Sequence, residues 1–191
     1  MEHSKQEFFE GTQTFGDVLV TKEFLEDSEY RSRIFHSVVK AKGAPSCTAL
    51  IVHGFAEHSQ RYMDFATMLA EQSVEVHLFD FRGQGLSSGP RFSGSLKNYF
   101  EDFVLILSRI PKGLPLFIIA HSMGGGIVTS FLKQNTHIPL AGVILSNPFI
   151  DFPTYTKATL FQKFAILSVP KFLNVHSAAD SFQRDDKPGP P

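Results

Sequence analysis

The stretch "LPLFIIAHSMGGGIVTSFLKQN", residues 114–135, confines the fold more than any other. An aliphatic run of strand length ends at Ala120, and a helical pattern is under way by Ile127. A strand that turns so directly into a helix belongs to a strand–helix–strand unit. The same alternation recurs along the chain. "TALIVHGF" (48–55) reads as a buried strand closed by glycine. In "RYMDFATMLAEQ" (61–72), Tyr62, Phe65, Ala66 and Leu69 share one helical face, with Ser59 as the cap. "VEVHLFDF" (74–81) is the next strand. Leu96, Tyr99, Phe100, Phe103, Val104 and Leu107 then form the stripe of a second helix, capped by Ser95 and stopped by Pro111 and Gly113. "LAGVILS" (140–146) closes the series as a strand. Upstream, residues 15–24 and 30–41 read as two strands joined through "EDSE", an antiparallel pair at one end of the sheet. The expected class is α/β: a mostly parallel sheet with helices on both faces.

This pattern makes 15–147 the core and 1–14 a flexible N-terminus. Pro148 and Pro153 interrupt it, and Leu160, Phe161, Phe164 and Leu167 suggest a short apolar helix within a segment 148–180, either packed core or the start of a lid. "DDKPGPP" reads as the end of a disordered tail, 181–191. Composition narrows the partners. Lys plus Arg (18) nearly balances Asp plus Glu (19), so the basic excess of a nucleic-acid binder is missing. Cys47 is the single cysteine, which excludes an internal disulfide and fits a reducing compartment. The N-terminus "MEHSKQEFFEGTQ" lacks the basic start and apolar run of a secretory signal, and no stretch reaches the ~18 apolar residues of a membrane span. A cytoplasmic location is expected, with room for peripheral contact with membranes. The histidines lack metal-ligand spacing, no P-loop is present, and Ser88 occupies the third glycine position of G-x-G-x-x-G in "GQGLSSG". No metal or cofactor is expected.

Ser122 stands at the corner between strand and helix. A turn of this kind forces a serine into an unfavourable backbone conformation and lifts its hydroxyl clear of the sheet. Its neighbours must be small, which Ala120, Gly124, Gly125 and Gly126 are. Three glycines would also serve simply to pack a helix against a sheet. Acyl transfer needs, besides a nucleophile, two donors aimed at the oxygen that becomes negative. The N–H of Met123, just after the serine, is one candidate. The N–H of Phe55, after His53 and Gly54, is the other.

"HGFAEHSQRY", "FDFRGQGLSSGPRF" and "AHSMGGG" follow one another as they do in the α/β-hydrolase superfamily. The chain resembles, from about Phe15 to about Asp186, the monoacylglycerol lipase and lysophospholipase group, or serine aminopeptidase S33-like hydrolases. That group typically reads HG-x-x-EHS-x-RY, D-x-RG-x-G-x-S-x-G and GHSMGG. The resemblance implies Ser122 as nucleophile and the Phe55 and Met123 N–H groups as oxyanion donors. It implies supporting roles for His53, Gly54, His121 and Gly124, with His53 shaping the oxyanion turn. Asp80 and Arg82 would fix the loop after their strand, and Glu57, His58, Arg61 and Tyr62 would brace the oxyanion loop. Ala120 replaces the usual glycine and Gln84 the usual histidine.

The family order is Ser, then Asp, then His, with the acid after the seventh strand and the base after the eighth. No further strand–helix pair follows "LAGVILS". The sequence therefore reads as an N-terminal portion of an α/β-hydrolase fold, truncated after about the sixth strand and the start of the cap, and "LAGVILS" as an exposed apolar edge. His137 is placed at the wrong end of the sheet, and His176 with Asp180 is not on a rigid element. The expected activity is cleavage of acylglycerol or other lipid esters through an acyl-enzyme on Ser122, inactive or severely impaired in this form. The competing reading is a non-catalytic relative that binds a lipid or a protein partner. Sequence downstream of Pro191 would separate the two.

Overall fold

The computed structural model describes residues 10–27 and 32–150. The chain separates into two units, Met1–Asp151 and Phe152–Pro191, and every described residue lies in the first. The strands are β1 (Gly11–Phe15), β2 (Val18–Asp27), β3 (Ser32–Val39), β4 (Cys47–Val52), β5 (Val74–Phe79), β6 (Leu116–His121) and β7 (Gly142–Ser146). The helices are α1 (Met63–Glu71), α2 (Leu96–Arg109) and α3 (Met123–Gln134). Among the described residues one sheet carries all seven strands, in the order β1-β2-β3-β5-β4-β6-β7. The pairings among β5, β4, β6 and β7 are parallel, and those along β1-β2-β3-β5 are antiparallel.

Both faces of the sheet are covered, as the period-2 alternation of the strands requires. Ala49 and Ile51 of β4 pack with Met63, Ala66 and Ala70 of α1. Leu50 and Val52 of the same strand join Phe103 and Ile106 of α2 and Ile127 and Val128 of α3. Cys47, half-buried, opens β4. β7 is the edge strand of the described sheet, with Val143, Ile144 and Leu145 exposed.

Several local readings shift. The strand expected over 15–24 is two strands: Phe15 pairs with Val18 across a tight turn in which Gly16 takes φ +59. β1 is exposed throughout and holds one apolar residue, Phe15, so no apolar period sets it apart and Gly16 is the local mark of the reversal. The N-terminal boundary moves accordingly, because residues 11–14 belong to β1 and not to a flexible arm. Ser59 does not cap α1. It opens a 3₁₀ turn, Ser59–Tyr62, and the residue at the helix cap is Tyr62, with no side-chain bond. Ser95 does cap α2, and Asn98 completes a capping box with it. The buried face of α2 is Tyr99, Asp102, Phe103 and Ile106, whereas Val104 and Leu96 are half exposed. Residues 1–9, the apolar run at Leu160, Phe161, Phe164 and Leu167, and His176 and Asp180 lie outside the described residues.

A polar chain with a buried histidine pair at its centre crosses β2, β3 and β5. His36 Nδ1 meets Glu23 Oε1 at 2.9 Å, His36 Nε2 meets His77 Nδ1 at 3.0 Å, and His77 Nε2 faces Glu75 Oε1 at 3.5 Å. Lys40 Nζ donates to the other Glu75 oxygen at 3.1 Å. A carboxylate only accepts, so His36 gives Nδ1–H to Glu23 and accepts from His77 Nδ1–H. Burial pushes the His77 imidazole down to about 3 from its ordinary 6.5, with the neighbouring His36 and Lys40 adding to the effect. Burial lowers His36 as well, against the pull of Glu23. A histidine held below its unfolded pKa contributes stability that is present above about pH 6.5 and is lost as pH falls toward the folded value. At about 1.4 kcal/mol per pH unit, His77 alone is expected to cost ~2 kcal/mol between pH 6.5 and pH 5. Urea unfolding midpoints at pH 7.5 and pH 5.0 test this, and His77→Gln should shrink the difference.

Candidate active site

β6 runs into α3 through Ser122, whose backbone stands at φ 49, ψ −118. These are the angles of the first central residue of a type II′ turn, a place normally held by glycine. The conformation is tied down on both sides. The Ser122 N–H donates to the Ser146 carbonyl of β7 at 3.0 Å, and the Ser122 carbonyl accepts from Gly126 N–H at 3.2 Å and Phe149 N–H at 2.8 Å. Ser122 itself is half-buried, and no side chain among the described residues hydrogen-bonds its hydroxyl.

The three glycines after Met123 each face a different obstacle. A Cβ on Gly124 would lie 2.5 Å from the His53 carbonyl oxygen and 2.7 Å from that of Val52. One on Gly125 would lie 2.6 Å from Pro148 Cβ, and one on Gly126 would run into the Phe149 carbonyl. The first turn of α3 thus sits directly against the end of β4 and the chain leaving β7. Met123, half-buried, occupies the first helical position, where a backbone N–H has no partner within the helix.

The loop after β4 lies against this corner. A Cβ on Gly54 would be 3.2 Å from Ser122 Cβ and 3.3 Å from His121 Cδ2. Its peptides are held by side chains. The buried His53 donates Nδ1–H to the Gly54 carbonyl at 2.7 Å and accepts the Phe81 N–H at Nε2, 3.0 Å away. Both ring nitrogens are occupied, and burial keeps the imidazole below its ordinary pKa, so His53 is neutral and structural. Glu57 Oε2 accepts the Gly54 N–H at 2.9 Å and the Tyr62 hydroxyl at 2.8 Å, with Arg61 Nε 3.7 Å from Oε1. Burial alone would raise the Glu57 carboxyl; the two hydrogen bonds outweigh it and hold it below the usual value. His58 accepts the Arg61 N–H at its carbonyl. Phe55, 50% exposed, rests on the Phe92 ring at 5.3 Å. Its N–H, like that of Met123, has no acceptor among the described residues.

Asp80 and Arg82 anchor the loop behind. Asp80 accepts the Ser59 N–H at 2.6 Å and the Leu86 N–H at 2.8 Å. Arg82 forms a fork with Asp102: Nε and Nη2 reach Oδ1 at 2.8 and 2.6 Å, while the Arg82 N–H reaches Oδ2 at 2.8 Å. His121 turns Nδ1 to the Ser146 carbonyl at 3.1 Å. His137 is exposed beyond the C-terminal end of α3, one helix length, about 18 Å, from Ser122. Asp102 and Ser146 were not among the residues expected here. Asp102 had a signal in the sequence, an acid on the apolar stripe of α2 between Tyr99 and Phe103.

Comparison with known proteins bears on this geometry. A match to the family described as "Serine aminopeptidase, S33" covers residues 43–187. The chain belongs to this family. Among curated relatives, a putative monoglyceride lipase of Schizosaccharomyces pombe is 35% identical over 137 residues, 68% of this chain and 36% of that protein. The human monoglyceride lipase is 33% identical over 129 residues, 65% of this chain and 41% of its own length. This S33 chain therefore spans about two fifths of the length of these relatives. Of solved structures, a soluble variant of Saccharomyces cerevisiae monoglyceride lipase with a substrate analogue aligns at TM-score 0.65 and 24% identity, covering 83% of this chain and 53% of that one. The thioesterase domain from the curacin pathway aligns at TM-score 0.62 and 22% identity, covering 79% and 52%. These likenesses establish the α/β-hydrolase fold, of which the described residues form a part. Among the described residues, no helix is long and apolar enough to cross a membrane.

Proposed function

We infer that this S33 chain carries the nucleophile and oxyanion half of a serine ester hydrolase acting on acylglycerols or related lipid esters. Ser122 attacks the acyl carbonyl, the Phe55 and Met123 N–H groups receive the negative oxygen, and water releases the acid from the acyl-enzyme. The single observation that carries the reading is the Ser122 corner: a strained serine at a helix N-terminus, with the Gly54 loop against its Cβ. An open, largely apolar cleft of about 230 Å³ beside Met123, lined by Leu96, Tyr99, Ile127 and Phe149, suits the hydrocarbon part of such a substrate. The names of the relatives favour the same class.

A serine hydroxyl needs a base. His53 has both nitrogens engaged, His121 faces Ser146, and His137 is a helix length away. None of these three is placed to serve as the base, so on this reading the base and the acid that orients it come from outside the described residues. Loss of a triad member costs several orders of magnitude, so the described residues by themselves should hydrolyse esters only feebly. That same observation favours the second reading, a non-catalytic relative that binds a lipid or protein. A fluorophosphonate probe decides between them. Applied to this chain and to any longer polypeptide that contains it, followed by peptide mapping, it should modify Ser122. A Ser122 that stays unmodified in both leaves the binding protein as the surviving interpretation.

A further inference from the structure

We propose that Gln84 is a positioning residue for the oxyanion loop, acting by accepting the Ala56 N–H. The inference deepens the hydrolase reading and rests on it. Ala56 stands at φ +56. A residue with a Cβ holds such a conformation only where its surroundings enforce it. The bonds from His53 and Glu57 both act on Gly54, one residue before Phe55. The hold on the other side is Gln84 Oε1, which accepts the Ala56 N–H at 2.9 Å from 28 residues further along the chain. Gln84 is 1% exposed, so its amide is fixed inside the loop, while Ala56 lies on the exposed side of the bond.

The Phe55 N–H lies between the two fixed points. His53 sets the Gly54–Phe55 peptide that carries it, and Gln84 sets the Phe55–Ala56 peptide that follows. Phe92 comes from the same loop as Gln84 and packs on the Phe55 ring, so one loop holds both the backbone and the side chain of this segment. A backbone N–H can only donate, which also determines that the oxygen of the Gln84 amide faces Ala56. Without that oxygen, Ala56 is released toward negative φ and the Phe55 N–H loses its aim.

Gln84→Met keeps the length of the side chain and removes the acceptor; Gln84→Glu keeps an oxygen. Amide hydrogen exchange at Ala56 and the rate of fluorophosphonate capture at Ser122 are compared in the same polypeptide. In Gln84→Met, exchange at Ala56 should accelerate roughly tenfold or more while β4 and β6 keep their protection. Capture should slow by about the same factor, and Gln84→Glu should restore both. Unchanged exchange at Ala56 in Gln84→Met overturns the proposal. So does unchanged capture in a variant whose Ala56 exchange has risen. If the unsubstituted protein is not captured at all, the hydrolase reading fails on its own, and exchange at Ala56 alone decides whether Gln84 holds the loop.

Discussion

Ser122→Ala is expected to abolish fluorophosphonate capture and to lower ester hydrolysis by a factor of about 10,000 or more, measured on the longest polypeptide that contains this chain. The thermal midpoint should barely move, because alanine keeps the Cβ and therefore the strain of φ 49, ψ −118. Ser122→Gly should be equally inactive but more stable than Ser122→Ala. Releasing a residue with a Cβ from such a region recovers about 1–3 kcal/mol. Glycine returns roughly 0.5–1 kcal/mol of that through the greater freedom of its unfolded chain. The net gain over alanine is then about 1 kcal/mol, readable by urea unfolding. A glycine variant less stable than the alanine one would mean that the corner stores no strain. The strain is held by the Ser146, Gly126 and Phe149 bonds around the peptide, and the crowding at Gly124 leaves the helix nowhere to retreat.

Arg82→Met should destabilise the fold by about 3–4 kcal/mol at pH 7. The Asp102 carboxylate is 1% exposed and has Arg82 as its principal partner. Burial pushes the Asp102 carboxyl above its ordinary value, and the Arg82 bonds work against that push. With the guanidinium gone, the carboxylate keeps one backbone N–H and must either remain charged in the core or take up a proton. Protonating a carboxyl of ordinary pKa ~3.9 at pH 7 costs about 4 kcal/mol, which caps the loss. Two further outcomes follow from the same physics. The deficit should narrow as pH falls toward 4, where the proton is supplied more cheaply. The double variant Arg82→Met, Asp102→Asn should recover most of it, since asparagine still accepts the Arg82 N–H and brings no charge. Equal deficits in the single and double variants would place the cost in lost packing rather than in the unpaired charge. The fork also ties the loop after β5 to α2, and that loop bears Gln84 and Phe92. Arg82→Met should therefore slow capture at Ser122 as well.

The sequence by itself determined the strand–Ser122–helix corner, the glycine loop at His53-Gly54, the strand–helix alternation and the Ser95 cap. Each is written in a local period or in a residue type that only one backbone geometry tolerates. The resemblance to the family was legible in the same short segments, and the family match over residues 43–187 spans them. What only the tertiary structure decided has partners far apart. The reversal at Gly16 became visible once Phe15 faced Val18, since β1 is exposed throughout and has no apolar period to set its bounds. Ser59 is not the cap of α1 because a 3₁₀ turn, pinned where Asp80, 21 residues on, accepts the Ser59 N–H, delays the helix to Met63. The buried face of α2 turned to bring Asp102 under Arg82, and Gln84 reached back to Ala56. A periodicity records which side of an element is apolar. It carries no information about which distant donor an acceptor will meet, and that choice is made only when the loops close over the end of the sheet.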